Sequence, residues 1–224
     1  MKIKVLSSGS VGNCYLLEHN SEILILDCGI SIKDIKIGLN FDLSKVVGCV
    51  VTHSHKDHSK SANDLKNMGI KVWQPYLYEN KKQCNCFDGF MLRCFEVPHD
   101  GEPCCGFLVG CPNGEQLLYA TDFEYIKYSF KKIGVQHLLI ECNYQNEYVD
   151  NSAENKNHVL RGHAELQTTI GIIKDNVDSL KTVILCHLSQ ENSNSEECVA
   201  EVREVVGSGV YVDYARKGFE IELK

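Results

Sequence analysis

Long apolar runs are missing from this sequence. No stretch of about 18 consecutive apolar residues occurs in its 224 positions, so none reads as a membrane-spanning helix. The opening MKIKVLSSGS lacks the apolar core of about 7–15 residues that a secretory leader needs, which implies a cytoplasmic protein with no membrane association. Proline is scarce, at four residues, and neither a Pro/Gly/Ser-rich linker nor a repeat of about 20–50 residues divides the chain. A solenoid or two tethered units are thereby disfavoured, leaving one domain over residues 1–224. Basic charge is also short: 23 Lys and Arg stand against 30 Asp and Glu, a net charge of −7. That is the wrong sign for neutralising many phosphates of a long nucleic acid, although bound divalent cations would reverse it locally.

What is present supports a packed globule. Hydrophobic residues make up 43% of the chain and charged residues 24%, enough to build one large core. Twelve cysteines without a leader are expected to remain reduced. Six of them (Cys84, Cys86, Cys94, Cys104, Cys105 and Cys111) crowd one region, but without the paired C-x-x-C knuckles of a structural zinc site they read as small hydrophobes.

Strand-like runs fall at 3–6, 15–18, 23–26, 46–52, 71–73, 91–97, 106–109, 116–120, 137–141, 182–185, 209–212 and 219–223. Helical periodicity marks 32–39, 59–68, 126–133, 164–176 and 195–206. The alternation predicts an α/β fold of layered sheets with outer helices, and the nearly continuously apolar runs at 23–26, 46–51, 137–140 and 182–185 predict strands covered on both faces.

The chemistry concentrates where an apolar strand runs into Thr52-His53-Ser54-His55-Lys56-Asp57-His58. In extended backbone His53 and His55 point to one side, while Asp57 and His58 can swing to the other as the chain turns into a helix. One short segment can therefore serve two neighbouring metal ions.

This H-x-H-x-D-H pattern after a buried strand resembles the metallo-β-lactamase superfamily, and the likeness runs from end to end. It implies a four-layered αβ/βα sandwich and further ligands after later strands: His99 in Val97-Pro98-His99-Asp100, Asp122 in Ala120-Thr121-Asp122-Phe123, and His187 in Leu185-Cys186-His187-Leu188-Ser189. By the same resemblance His53, His55 and His99 would hold one ion, Asp57, His58 and His187 a second, and Asp122 both. Two divalent cations are implied, zinc first and manganese or iron as substitutes. Asp27, in Leu26-Asp27-Cys28-Gly29, is expected to orient a ligand histidine.

Within the superfamily the chain looks like the RNase Z and YycJ/WalJ branch. Three segments carry that likeness: the opening Ser7-Ser8-Gly9-Ser10-Val11-Gly12-Asn13, Ile140-Glu141-Cys142-Asn143, and His187-Leu188-Ser189-Gln190-Glu191-Asn192. True β-lactamases of this fold place a cysteine where Asp122 stands. His163, in Arg161-Gly162-His163-Ala164-Glu165, occupies the place of the extra histidine of RNase Z-type enzymes. The resemblance makes His163 the proton donor to the leaving group, with Asp57 as the other catalytic residue, and the amides of Ala164 and Glu165 could steady a phosphate oxygen at a helix start.

The pattern departs at Tyr144-Gln145, where YycJ proteins often have His-Asp, and it has no room for the long arm with which RNase Z grips transfer RNA. Its compact size is similar to that of the phage anti-Pycsar phosphodiesterases. The implied activity is hydrolysis of a nucleotide phosphodiester, a cyclic mononucleotide first; Tyr144, Tyr148 and Phe123 are candidate base-stacking residues, although core or rim packing is the favoured reading of each. Single-stranded DNA or RNA is the alternative substrate, and a metal-binding sensor without catalysis is the alternative from another class. Relatives pair as homodimers, so a dimer is expected. His19, His137 and His158 match no motif and read as surface, strand start and loop.

Overall fold

The computed structural model describes residues 1–78, 83–150, 152–154 and 156–223. Its first sheet is formed by β1 (Lys2–Ser7), β2 (Cys14–His19), β3 (Glu22–Leu26), β4 (Val46–Val50), β5 (Val72–Trp73) and β13 (Glu220–Glu222), ordered β13-β1-β2-β3-β4-β5. The second contains β6 (Cys84–Phe87), β7 (Phe90–His99), β8 (Glu102–Gly110), β9 (Gln116–Ala120), β10 (His137–Glu141), β11 (Thr182–Cys186) and β12 (Tyr211–Tyr214), in the order β12-β11-β10-β9-β8-β7-β6. Strands β3, β4 and β5 run parallel, as do β9 to β12, so several carboxyl ends gather on one side.

Three apolar clusters define four layers, as expected for the αβ/βα sandwich. Leu17, Leu24 and Val50 of the first sheet meet Phe107, Tyr119, Leu139 and Ile184 of the second between the sheets. The outer face of the first sheet packs Ile25 and Cys49 against Ile35 of α1 (Ile32–Gly38) and Leu65 of α3 (Ala62–Asn67). Outside the second, Leu138, Ile140 and Val183 meet α5 (Leu166–Asn176) and α6 (Ser195–Val206). Strands β10 and β11 are buried along their whole length, which explains their unbroken apolar sequence.

Some elements differ from the sequence reading. Residues 126–133 form no helix: Phe95 of β7 packs Tyr128 and Phe130 at ring centroid distances of 5.8 and 5.0 Å, drawing the segment across the sheet. The helix read at 59–68 is split into α2 (Lys56–Ser59) and α3, because Ser61 donates its amide to the Cys28 carbonyl and its hydroxyl to that of Ile30. α4 (Lys156–Gly162) was not anticipated, and it carries His158, which is therefore helical rather than in a loop. Among the described residues no helix is long and apolar enough to cross a membrane. No disulfide joins any cysteines among the described residues, and Cys84 and Cys86 are exposed on β6, at the sheet edge.

Candidate metal centre

Strand ends position Asp27 and the seven expected ligands, while His163 lies between α4 and α5. β3 leads to Asp27, β4 to residues 53–58, β9 to Asp122 and β11 to His187, while β7 ends on His99. Asp27, Asp122 and His187 adopt left-handed backbone, with φ of 55°, 56° and 52°. That region costs a residue with a β-carbon about 1–2 kcal/mol and persists only where surrounding structure enforces it.

The seven expected ligands converge. Ligand atoms of His53, His55 and His99 lie within 4.8 Å of one another, as do those of Asp57, His58 and His187, and Asp122 meets the same limit with His53 and His58. His99 Nε2 is 3.3 Å from His55 Nδ1, and His58 Nε2 is 3.1 Å from an Asp122 oxygen. His53 Nε2 and His187 Nε2 are buried with no hydrogen-bond partner. Orphaned buried nitrogens are costly, and here they point to a missing electrophile that they would satisfy. Imidazole and carboxylate donors in this number fit zinc or a similar divalent ion.

A shell of acceptors fixes which ring atom each histidine presents. Asp27 Oδ2 accepts from His58 Nδ1 at 2.7 Å and from the Tyr119 hydroxyl at 2.5 Å. The same carboxylate accepts the Thr52 amide at 2.8 Å, and the Thr52 hydroxyl bridges it to His53 Nδ1 at 3.0 Å. Asp27 thus orients His58 directly and His53 through Thr52. His99 donates Nδ1–H to the Gly162 carbonyl at 2.6 Å, turning Nε2 inward.

Glu141 is the residue for which sequence supplied a motif but no role. Fully buried, it takes His163 Nδ1 and His187 Nδ1 on one oxygen, both at 2.8 Å, and the amides of Phe123 and Ala164 on the other, both at 3.0 Å. The Ala164 amide is therefore committed to Glu141 and cannot serve a phosphate oxygen. α5 begins at Leu166, with the Glu165 carboxylate as its cap. Clustered polar residues in an apolar strand were the available signal: Glu141 ends the buried run Leu138-Leu139-Ile140.

Electrostatics separate the histidines. Burial pushes His53 well below its ordinary range and lowers His99, keeping both as neutral ligands. At His163 burial acts downward, but the Glu141 and Asp122 carboxylates outweigh it and lift the imidazole to about 9. Asp57 is raised by burial and lowered more strongly by its contact with His58, so it stays ionised.

These groups floor a cleft of about 410 Å³ walled by residues 8–11, residues 189–192 and His158 with Val159. The opening Gly9 and Gly12 take positive φ, so this loop is both a tight turn and a cleft wall. No lysine or arginine lines the cleft among the described residues. Phe123 and Tyr144 are buried in the interior, and Tyr148 donates its hydroxyl to Glu197, so none of the three stacking candidates lines the cleft.

A family model described as the metallo-beta-lactamase superfamily matches residues 8–77, the span that holds Asp27 and the four ligands from His53 to His58. Over that span the chain is similar to the metallo-β-lactamase superfamily. The chain aligns with exodeoxyribonuclease YycJ of Bacillus anthracis at 25% identity, over 94% of this chain and 92% of that protein. It superposes on the metallo-beta-lactamase fold protein YhfI of Bacillus subtilis with a TM-score of 0.76 and 17% identity, over 98% of each chain. Human tRNase Z, short form, superposes at 0.66 and 13% identity over 100% of both. These similarities are to a YycJ exodeoxyribonuclease in sequence and to a tRNase Z in fold.

Proposed function

We propose that this protein is a dinuclear metal phosphodiesterase whose first substrate is a cyclic mononucleotide. The observation carrying the proposal is the Glu141–His163 pair beside the convergent ligands: one imidazole, outside the His53, His55, His99 and the Asp57, His58, His187 sets though grouped with Asp122, Glu141 and His187, faces the same cleft with a proton to give. His53, His55 and His99 would hold one ion, Asp57, His58 and His187 the other, and Asp122 both. Zinc is the first choice, manganese or iron the substitutes. Two such ions supply Lewis-acid stabilisation of phosphoryl charge and activate water.

The chain's own residues do the rest. Glu141 fixes Nδ1 of His163, so the proton destined for the leaving oxygen sits at Nε2, and such positioned donation contributes about 10²–10⁴-fold. The Asp57 carboxylate, half-exposed and ionised, accepts the proton of the attacking water. Asp27 and Thr52 keep the ligand rings in register. A cavity of about 410 Å³ without cationic side chains suits one nucleotide better than a run of phosphates.

Single-stranded DNA or RNA is the second reading, favoured by alignment with an exodeoxyribonuclease over nearly the whole chain. Metal-replete protein assayed on cyclic nucleotides and labelled oligonucleotides separates the two: turnover of the polymer alone overturns the first. Substituting His163→Ala should cost at least tenfold in turnover with metal content unchanged. One domain, a cytoplasmic location and a homodimer complete the proposal, and light scattering checks the last.

A further inference from the structure

α4 is tied to the end of β7 at three points. His99 donates to the Gly162 carbonyl, the Asp100 amide donates to the Arg161 carbonyl at 3.1 Å, and Asp100 Oδ2 accepts from His158 Nδ1 at 2.9 Å. Asp100 reaches His158 from the β7–β8 turn with a φ of 43°, so its backbone is held in a conformation that few residues adopt. The bond to Asp100 leaves Nε2 as the ring atom that remains for a ligand.

His158 stands in the cleft beyond His163. Its ring centroid is 5.5 Å from that of His163, with the planes at 88°, and 6.1 Å from that of His99. It is half exposed and lines the same cavity. Both partners of the His158–Asp100 pair are well solvated, so the pair stabilises the fold little, and folding alone does not account for its orientation. Of α4, His158 and Val159 line the cleft among the described residues, so the polar side-chain contact from this helix falls to His158.

Resting on the phosphodiesterase reading, we infer that His158 is a substrate-contacting residue that binds the leaving-group half of the substrate, the nucleoside sugar whose oxygen His163 protonates, and that Asp100 is its positioning residue. A phosphorus atom over the ligand cluster with its leaving oxygen at His163 places the attached sugar toward α4, one ring's breadth farther along the wall. Nε2 then hydrogen-bonds a sugar hydroxyl or ring oxygen.

The test compares His158→Ala, His158→Gln and Asp100→Asn with wild type, all metal-replete and with metal content measured. Substrates are a cyclic mononucleotide, a dinucleotide and bis(p-nitrophenyl) phosphate, whose leaving group has no sugar. His158→Ala should raise KM for both nucleotide substrates at least fivefold with kcat within twofold, leave the nitrophenyl ester within twofold, and weaken calorimetric binding of a nucleoside monophosphate by a similar factor. His158→Gln should recover part of the loss, and Asp100→Asn should fall between wild type and His158→Ala. Unchanged KM and binding, or equal losses on all three substrates, overturn the inference. Should the metal-loaded wild type turn over no phosphodiester, the phosphodiesterase reading falls, and the calorimetric comparison still decides His158: equal binding by wild type and His158→Ala, or none by either, rejects it.

Discussion

Gly29 lies against the backbone of Asp57, so close that a β-carbon built on it would overlap the Asp57 carbonyl. The contact is buttressed on both sides, because Asn13 donates its amide to the same Asp57 carbonyl at 2.7 Å and Cys28 donates its own to that of His58 at 2.8 Å. The turn after β3 is therefore a template for the ligand segment after β4.

Gly29→Ala should displace residues 53–58 while the rest of the sandwich folds. Its backbone contact cannot give, so the expected result is at least a tenfold loss of metal affinity and a lower melting temperature. Metal content after dialysis, with thermal unfolding of the metal-stripped forms, checks both. Wild-type affinity in Gly29→Ala would show that the template is dispensable.

Asp27→Asn keeps the size of the side chain and removes the charge that holds His58 and, through Thr52, His53. Metal affinity should drop about 10–100-fold, the range found when partners of metal ligands are removed. Competition with a chromogenic chelator reads this directly, and an unchanged affinity would remove Asp27 from the site.

Glu141→Gln removes the charge that holds His163 and His187 on one oxygen and sets an amide NH2 against one of its two pairs of donors. Turnover should fall by about 10²-fold or more. Since Glu141 and Asp122 outweigh burial in lifting His163 to about 9, loss of the Glu141 charge should also move the alkaline limb of the kcat profile to lower pH. Profiles of wild type and variant, with metal content matched, test the direction of that shift.

His137 begins β10 as the sequence implies, yet its side chain is fully buried and neither ring nitrogen has a hydrogen-bond partner. Burial outweighs the pull of Glu115 and lowers the imidazole to about 4 from an ordinary 6.5. Between those values the unfolded chain binds the proton more readily, so this contribution to stability is complete above about pH 6.5 and is lost progressively as the pH falls toward 4. The gap corresponds to at most about 3 kcal/mol, and less where solvent screens the Glu115 side. His137→Leu should unfold at higher denaturant at pH 7 and show a flatter acid limb in urea titrations from pH 4 to 7. An identical limb in both proteins would exclude His137 as its source.

The convergent His and Asp cluster was legible in the sequence because its members occupy strand ends, where side-chain type, chain order and flanking apolar runs coincide: His53, His55, Asp57 and His58 share one segment, and His99, Asp122 and His187 each follow or end a strand. The layered α/β architecture was legible for a related reason, since strands covered on both faces must be apolar throughout. Tertiary structure alone decided what joins residues far apart in the chain. Glu141 bonds His187 only because β10 and β11 are parallel neighbours, it bonds His163 only because the segment between α4 and α5 docks its Ala164 amide on the same carboxylate, and Asp100 meets His158 only because α4 packs on the end of β7. Residues 126–133 have helical spacing but no helix, because packing on Phe95 outweighs a local preference that is small per residue. Spacing encodes which side chains share a face, whereas the partner across a sheet or helix depends on packing that no local pattern records.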